Sequence, residues 1–104
     1  MEGEININWS FSALEMLAEI HEYIAEKSQM AADKYVDGIY GSVKKLEKHP
    51  ESCGPCKAEI LRERSYRCCK YKSHIIVYRF ENNAVNILAI IHSKRDPSRL
   101  DEIP

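Results

Sequence analysis

A chain of 104 residues, 44% hydrophobic and 30% charged, has the composition of one globular domain (residues 1–104) with a single modest core. No stretch approaches the roughly 20 apolar residues of a membrane span, and MEGEININWS lacks a signal peptide's basic end and apolar core, so no membrane partner is expected. The formal net charge of −1 indicates no polyanion partner in bulk, but residues 1–50 hold five Lys/Arg against nine Asp/Glu and residues 57–99 hold ten against four. That asymmetry predicts a basic surface on the second half, suited to an acidic protein or to nucleic acid.

In chain order, Glu4–Trp9 alternates Ile5, Ile7 and Trp9 against polar residues, the pattern of a strand with one buried face. Ser10 or Ser12 then caps a helix, and Ser12-Ala13-Leu14-Glu15 fits a capping box. Leu14, Leu17, Ala18, His21, Ile24 and Ala25 form an apolar stripe on a helix to about Lys27. After Ser28-Gln29-Met30, a second helix runs from about Ala31 to Lys48 on Ala32, Tyr35, Val36, Ile39, Val43 and Leu46, and Pro50 stops it. Gly38 and Gly41 inside it cost about 1 kcal/mol each relative to Ala, which a close approach of the first helix offsets. So short a link predicts an antiparallel helical hairpin.

Glu51–Lys57 is a loop on Gly54-Pro55, Ala58–Arg64 a strand candidate and Tyr66–Lys72 a better one. His74–Phe80 and Ala84–His92, joined by Glu81-Asn82-Asn83, read as a β-hairpin. The second run is apolar on both alternation phases, so it is expected to be covered on both faces and central. The fold class is therefore α+β. An N-terminal strand and a two-helix antiparallel hairpin precede a mostly antiparallel sheet of three or four further strands.

Four cysteines in a chain expected in the cytoplasm should be thiols. Cys53-Gly54-Pro55-Cys56 spells a thioredoxin-type dithiol but precedes a strand instead of opening a helix, so an incidental turn is the simpler reading. Zinc shared with Cys68 and Cys69 would need a bulge, because adjacent strand residues point to opposite faces. No metal or cofactor is expected. His92, at the end of the central strand beside Lys94 and Arg95, has the surroundings of a general acid or base in phosphodiester cleavage; fixing the following turn is its simpler role. Tyr66, Tyr71 and Tyr78 interleave with Arg62, Arg64, Arg67 and Arg79, as in nucleic-acid grooves, or, for at least two of the three, as residues that cap the core or contact a partner protein.

The ordered set INW, SFSALEMLAEIHEYI, KKLEKHP, ILRERSYR, HIIVYRF and AVNILAIIHSKRDPSRL resembles the RelE/ParE family of type II toxin–antitoxin toxins over residues 4–100. The resemblance implies a plasmid-stabilisation-like, growth-inhibiting toxin neutralised by a cognate antitoxin. It also implies one of two targets: DNA gyrase, bound without catalysis, or mRNA on the ribosome, cleaved as an endoribonuclease. For the nuclease, the family pattern carries over to Arg67, His92 and Arg95 as catalytic residues. In one register Ile75 falls where the family's strand Arg is needed; in the other, Ala58 and Ile60 fall at its basic positions. Neither restores the full set, which favours the gyrase-type reading. Arg62, Arg67, Arg79, Lys94 and Arg95 are then the surface for target and antitoxin.

Overall fold

The computed structural model describes residues 5–94. Strand β1 (Asn6–Trp9) leads into helices α1 (Phe11–Ala25) and α2 (Gln29–Lys44), and α2 runs on into a 3-10 turn, Lys45–Glu47. A short helix α3 (Glu59–Glu63) then precedes β2 (Arg67–Tyr71), β3 (His74–Glu81) and β4 (Ala84–His92). Ser10, not Ser12, caps α1: its hydroxyl accepts from the Ala13 N–H at 3.0 Å. Ser28 does the same for α2 through Ala31 at 3.1 Å. No helix among the described residues is long and apolar enough to cross a membrane.

The described strands form one sheet in the order β1-β4-β3-β2, with β1 parallel to β4 and the other pairs antiparallel. β4 is thus interior, as its apolar sequence predicts. Asn82 and Asn83 turn the β3–β4 hairpin at φ 52° and 60°, the two left-handed positions of a type I′ turn, where Asn is among the least penalised residues. Val77 pairs with Ala89 but Tyr78 pairs with Ile87, so Leu88 is an extra residue in β4. This bulge reverses the alternation. Val85 and Ile87 before it, and Ile90 after it, all join the core beneath the helices. Ala89 joins a second cluster with Val77. The two apolar phases of β4 therefore have two causes: a register change and a cover on each face.

The first cover is the helical hairpin, which supplies Ala13, Leu17, Ile39, Val43 and Leu46. The stripe on α1 is rotated from the expected one, since Ala13 and Leu17 are buried, Met16 and Ile20 half-buried, and Leu14 is 42% exposed. Neither α2 glycine serves the α1–α2 approach. A Cβ on Gly38 would overlap the Tyr71 ring of β2, and one on Gly41 would meet nothing within 4 Å.

The second cover comes from the segment expected to be a strand. Ala58–Arg64 instead contains α3, with Leu61 buried against Cys56, Tyr66, Val77 and Ala89. Its end explains why it stops: Ser65 sits at φ 65°, Tyr66 N–H bonds Leu61 O at 3.0 Å, and Ser65 N–H bonds Arg62 O at 3.0 Å. That is a Schellman motif with Ser in the place that usually takes Gly.

Candidate functional site

β2 is an edge strand, and its outer side is occupied by the loop before α3. Cys56 N–H bonds Tyr66 O at 3.1 Å, Cys68 N–H bonds Gly54 O at 3.2 Å, and Pro55 forms an isolated antiparallel bridge with Arg67. Cys68 and Cys69 point to opposite faces, as strand alternation requires. Each joins a different end of the Cys53-Gly54-Pro55-Cys56 turn: Cys53 with Cys69, Cα atoms 5.4 Å apart, and Cys56 with Cys68, Cα atoms 4.8 Å apart. The turn straddles the strand edge. All four cysteines are bonded, which overturns the expectation of free thiols. Division of the sulfurs between two faces also removes the four-thiol zinc site, and no metal-binding cluster occurs among the described residues.

The loop also sets the arginines. Arg67 Nη1 donates to Cys53 O at 2.6 Å and to Glu51 O at 3.4 Å, with Nη2 3.6 Å from the Glu51 carboxylate. Arg79 lies over the Tyr66 ring, 4.5 Å from its centroid, at a distance suited to cation–π attraction. Its Nη2 donates to Arg64 O at 2.9 Å and its Nη1 is 3.9 Å from Glu81. Arg79 Nε is buried without a hydrogen-bond partner. Arg67 is opposite Tyr78 in the sheet register and shares that residue's helix-side face. Arg79, next in β3, is on the other face. Arg62 extends from α3 and donates to Lys57 O at 3.0 Å.

His92 belongs to a different place. It pairs with His74 across β3 and β4, the two rings edge-to-face with centroids 5.1 Å apart. Its Nδ1 accepts from the Lys94 N–H at 3.1 Å, so it does fix the turn that follows. His74 Nδ1 is 2.7 Å from the Tyr35 hydroxyl, which in turn accepts from Ser73 N–H at 3.3 Å. Burial holds the Tyr35 pKa above its ordinary value. These rings floor a groove of about 630 Å³ beside α1, walled by Met16, Ile20, Tyr23 and Ile24. Neither this groove nor Tyr35's part in it is legible in the sequence, where the spacing Met16/Ile20/Tyr23 is the local signal. Lys94 is exposed, and Arg95 lies outside the described residues.

Arg67 and His92 therefore do not converge. His74, beside His92, is four residues along β3 from Tyr78, the register partner of Arg67. At about 3.3 Å per residue the two ends are roughly 13 Å apart.

The sequence profile describing the ParE toxin of the type II toxin–antitoxin system parDE matches residues 7–97. Among solved structures, the fold is similar to that of a chromosomal ParDE toxin–antitoxin system from P. aeruginosa, with TM-score 0.72 at 19% identity, covering 88% of this chain and 98% of that one. It is also similar to the toxin–antitoxin complex RelBE2 from Mycobacterium tuberculosis (TM-score 0.54, 16% identity, 86% and 99% covered). The YoeB dimer from Staphylococcus aureus is a third likeness (TM-score 0.57, 19% identity, 86% and 98% covered). No curated protein matches the chain.

Proposed function

The chain belongs to the ParE toxin family of type II toxin–antitoxin systems, and from that premise we propose that it acts by binding DNA gyrase and not by cleaving mRNA. The observation that carries this choice is the separation of Arg67 from His92, two of the three side chains a nuclease would need together; the third, Arg95, lies outside the described residues. Arg67 and Arg79 are on opposite faces, each held by backbone carbonyls of the loop and α3 segment. His92 is at the far end of the sheet with Nδ1 engaged. Stabilising a phosphorane requires donors aimed at one developing charge from within about 3 Å. Spread over two faces, the same cations suit contact with a large surface.

A cognate antitoxin is the second partner, by likeness to the ParDE and RelBE2 assemblies. The apolar wall of the α1 groove supports it, because Tyr23 is 77% exposed beside half-buried Met16 and Ile20 and a partner segment would cover it. The cytoplasm, where gyrase and ribosomes are found, is the compartment this reading requires.

The test is a pair of assays on the purified toxin: gyrase supercoiling, and mRNA cleavage on translating ribosomes. Loss of supercoiling without cuts, reversed by added antitoxin, is the expected result. Cuts positioned by codon and abolished by Arg95→Ala would replace this reading with the ribonuclease.

A further inference from the structure

The segment 50–66 is held to the sheet in a way that makes its attachment conditional. It covers the edge of β2 with few backbone hydrogen bonds, and α3 has five residues, far short of the length at which an isolated helix persists. What fixes it, beyond the burial of Leu61 and Tyr66 against Val77 and Ala89, is the pair of disulfides, spanning 16 and 12 residues, which act chiefly by restricting the open states of the chain. Among the described residues, the acceptors of Arg67 lie on this segment, at Glu51 and Cys53. So do the Arg64 carbonyl and Tyr66 ring that hold Arg79. One displacement of the segment would remove those contacts on both faces, leaving Arg79 the Glu81 carboxylate 3.9 Å away, and would uncover the hydrogen-bonding groups of the β2 edge.

We propose that the two disulfides form a thiol-responsive latch: closed, it seats residues 50–66 on the β2 edge and holds Arg67 and Arg79; opened by a dithiol reductant, it frees the segment and both guanidinium groups. The use of those arginines by a partner rests on the function proposed above, whereas the latch itself does not. In each disulfide one cysteine is half-buried, Cys53 or Cys68, and the other buried, Cys69 or Cys56. A thiolate of the reductant attacks the half-buried sulfur and expels the buried one as a thiolate, which takes up a proton. The reductant's second thiol then displaces the mixed disulfide. Each disulfide opened consumes one dithiol, oxidised to its own disulfide, and leaves two cysteine thiols, so the whole latch takes two dithiols and leaves four thiols.

The experiment uses the full chain purified in air, with dithiothreitol as the reductant. Iodoacetamide should alkylate no cysteine before reduction and all four after it, and peptide mapping of the oxidised chain should give Cys53–Cys69 and Cys56–Cys68. Hydrogen exchange at the Cys56 and Cys68 amides should rise roughly a hundredfold on reduction, with far less change at Ile87. Phenylglyoxal should modify Arg67 and Arg79 several-fold faster in the reduced chain. Thiols already free in air, a Cys53–Cys56 pairing, or exchange and arginine reactivity unmoved by reduction would each overturn the latch. None of these readouts involves a target, so a chain that passes them and leaves gyrase supercoiling untouched removes the target assignment alone.

Discussion

Tyr78 offers the sharpest test of how the helical hairpin is joined to the sheet. Its side chain is fully buried at the β4 bulge, and its hydroxyl donates to Pro50 O at 2.8 Å, tying the chain after the hairpin to the middle of β3. Tyr78→Phe keeps the ring packing and removes that bond. Pro50 is half-buried, so water reaches part of what the hydroxyl leaves, and the cost is about 1 kcal/mol. In a chain of this size that lowers Tm by about 4–6 °C. The phenol adds a pH signature. Burial raises its pKa above 10.0, partly offset by the Arg67 guanidinium. A raised folded-state pKa means that the stabilisation is complete below the unfolded value near 10 and is lost as pH rises through the folded value. Phenylalanine cannot ionise, so the deficit of the variant should shrink between pH 9 and 11. Urea unfolding across that range measures it. A variant as stable as the parent at pH 8, or a deficit constant to pH 11, would show that the Pro50 contact is not what joins the layers there.

The remaining expectations are simpler. Gly41→Ala, in open space on α2, should stabilise by about 1 kcal/mol, while Gly38→Ala should gain nothing because the Tyr71 ring must move; thermal melts of the two separate them. Ser65→Gly should stabilise by about 0.5 kcal/mol by relieving the left-handed residue that ends α3, read in the same melts. Ile87→Ala, with no exposed surface in the parent, should cost about 2–5 kcal/mol by urea unfolding. The Asp33 carboxyl titrates below its ordinary value chiefly because of its hydrogen bond with His21 and then Gln29, so His21→Ala should raise it in an NMR titration. The stabilisation from that contact is present above the unfolded pKa of Asp33 and lost as pH falls through the folded one.

The inward stripe of α2 and the interior place of β4 were legible because each depends on a pattern over nine or more residues. α3 was not. Ala58 and Leu61 turn inward while Ile60 is 37% exposed, a helical spacing too short to separate from a strand's, and Ser65 conceals a helix end that glycine would have announced. The α1 stripe was misplaced by about one position because Leu14 and Ala18 look as apolar as Ala13 and Met16. Only the packing of β4 against that helix decides between them. The cysteines show a different limit: alternation sends Cys68 and Cys69 to opposite faces, but no local pattern announces a turn that reaches both faces around a strand edge.

That edge also explains why the candidate site could not be assembled from residue types. A basic residue in a sequence is read as a free charge, but its meaning here is set by what the loop offers it. Arg67 meets two carbonyls and a carboxylate, and Arg79 an aromatic face and a carbonyl. Both are therefore partly neutralised where they stand, and the net positive charge of the second half is presented mainly by residues such as Lys70, Lys72 and Lys94, exposed on strands and turns. Charge reversal at those lysines should slow association with an acidic partner and flatten its salt dependence. Charge reversal at Arg67 should unseat the loop first, visible as faster amide exchange at Cys56 with the strand β4 unchanged.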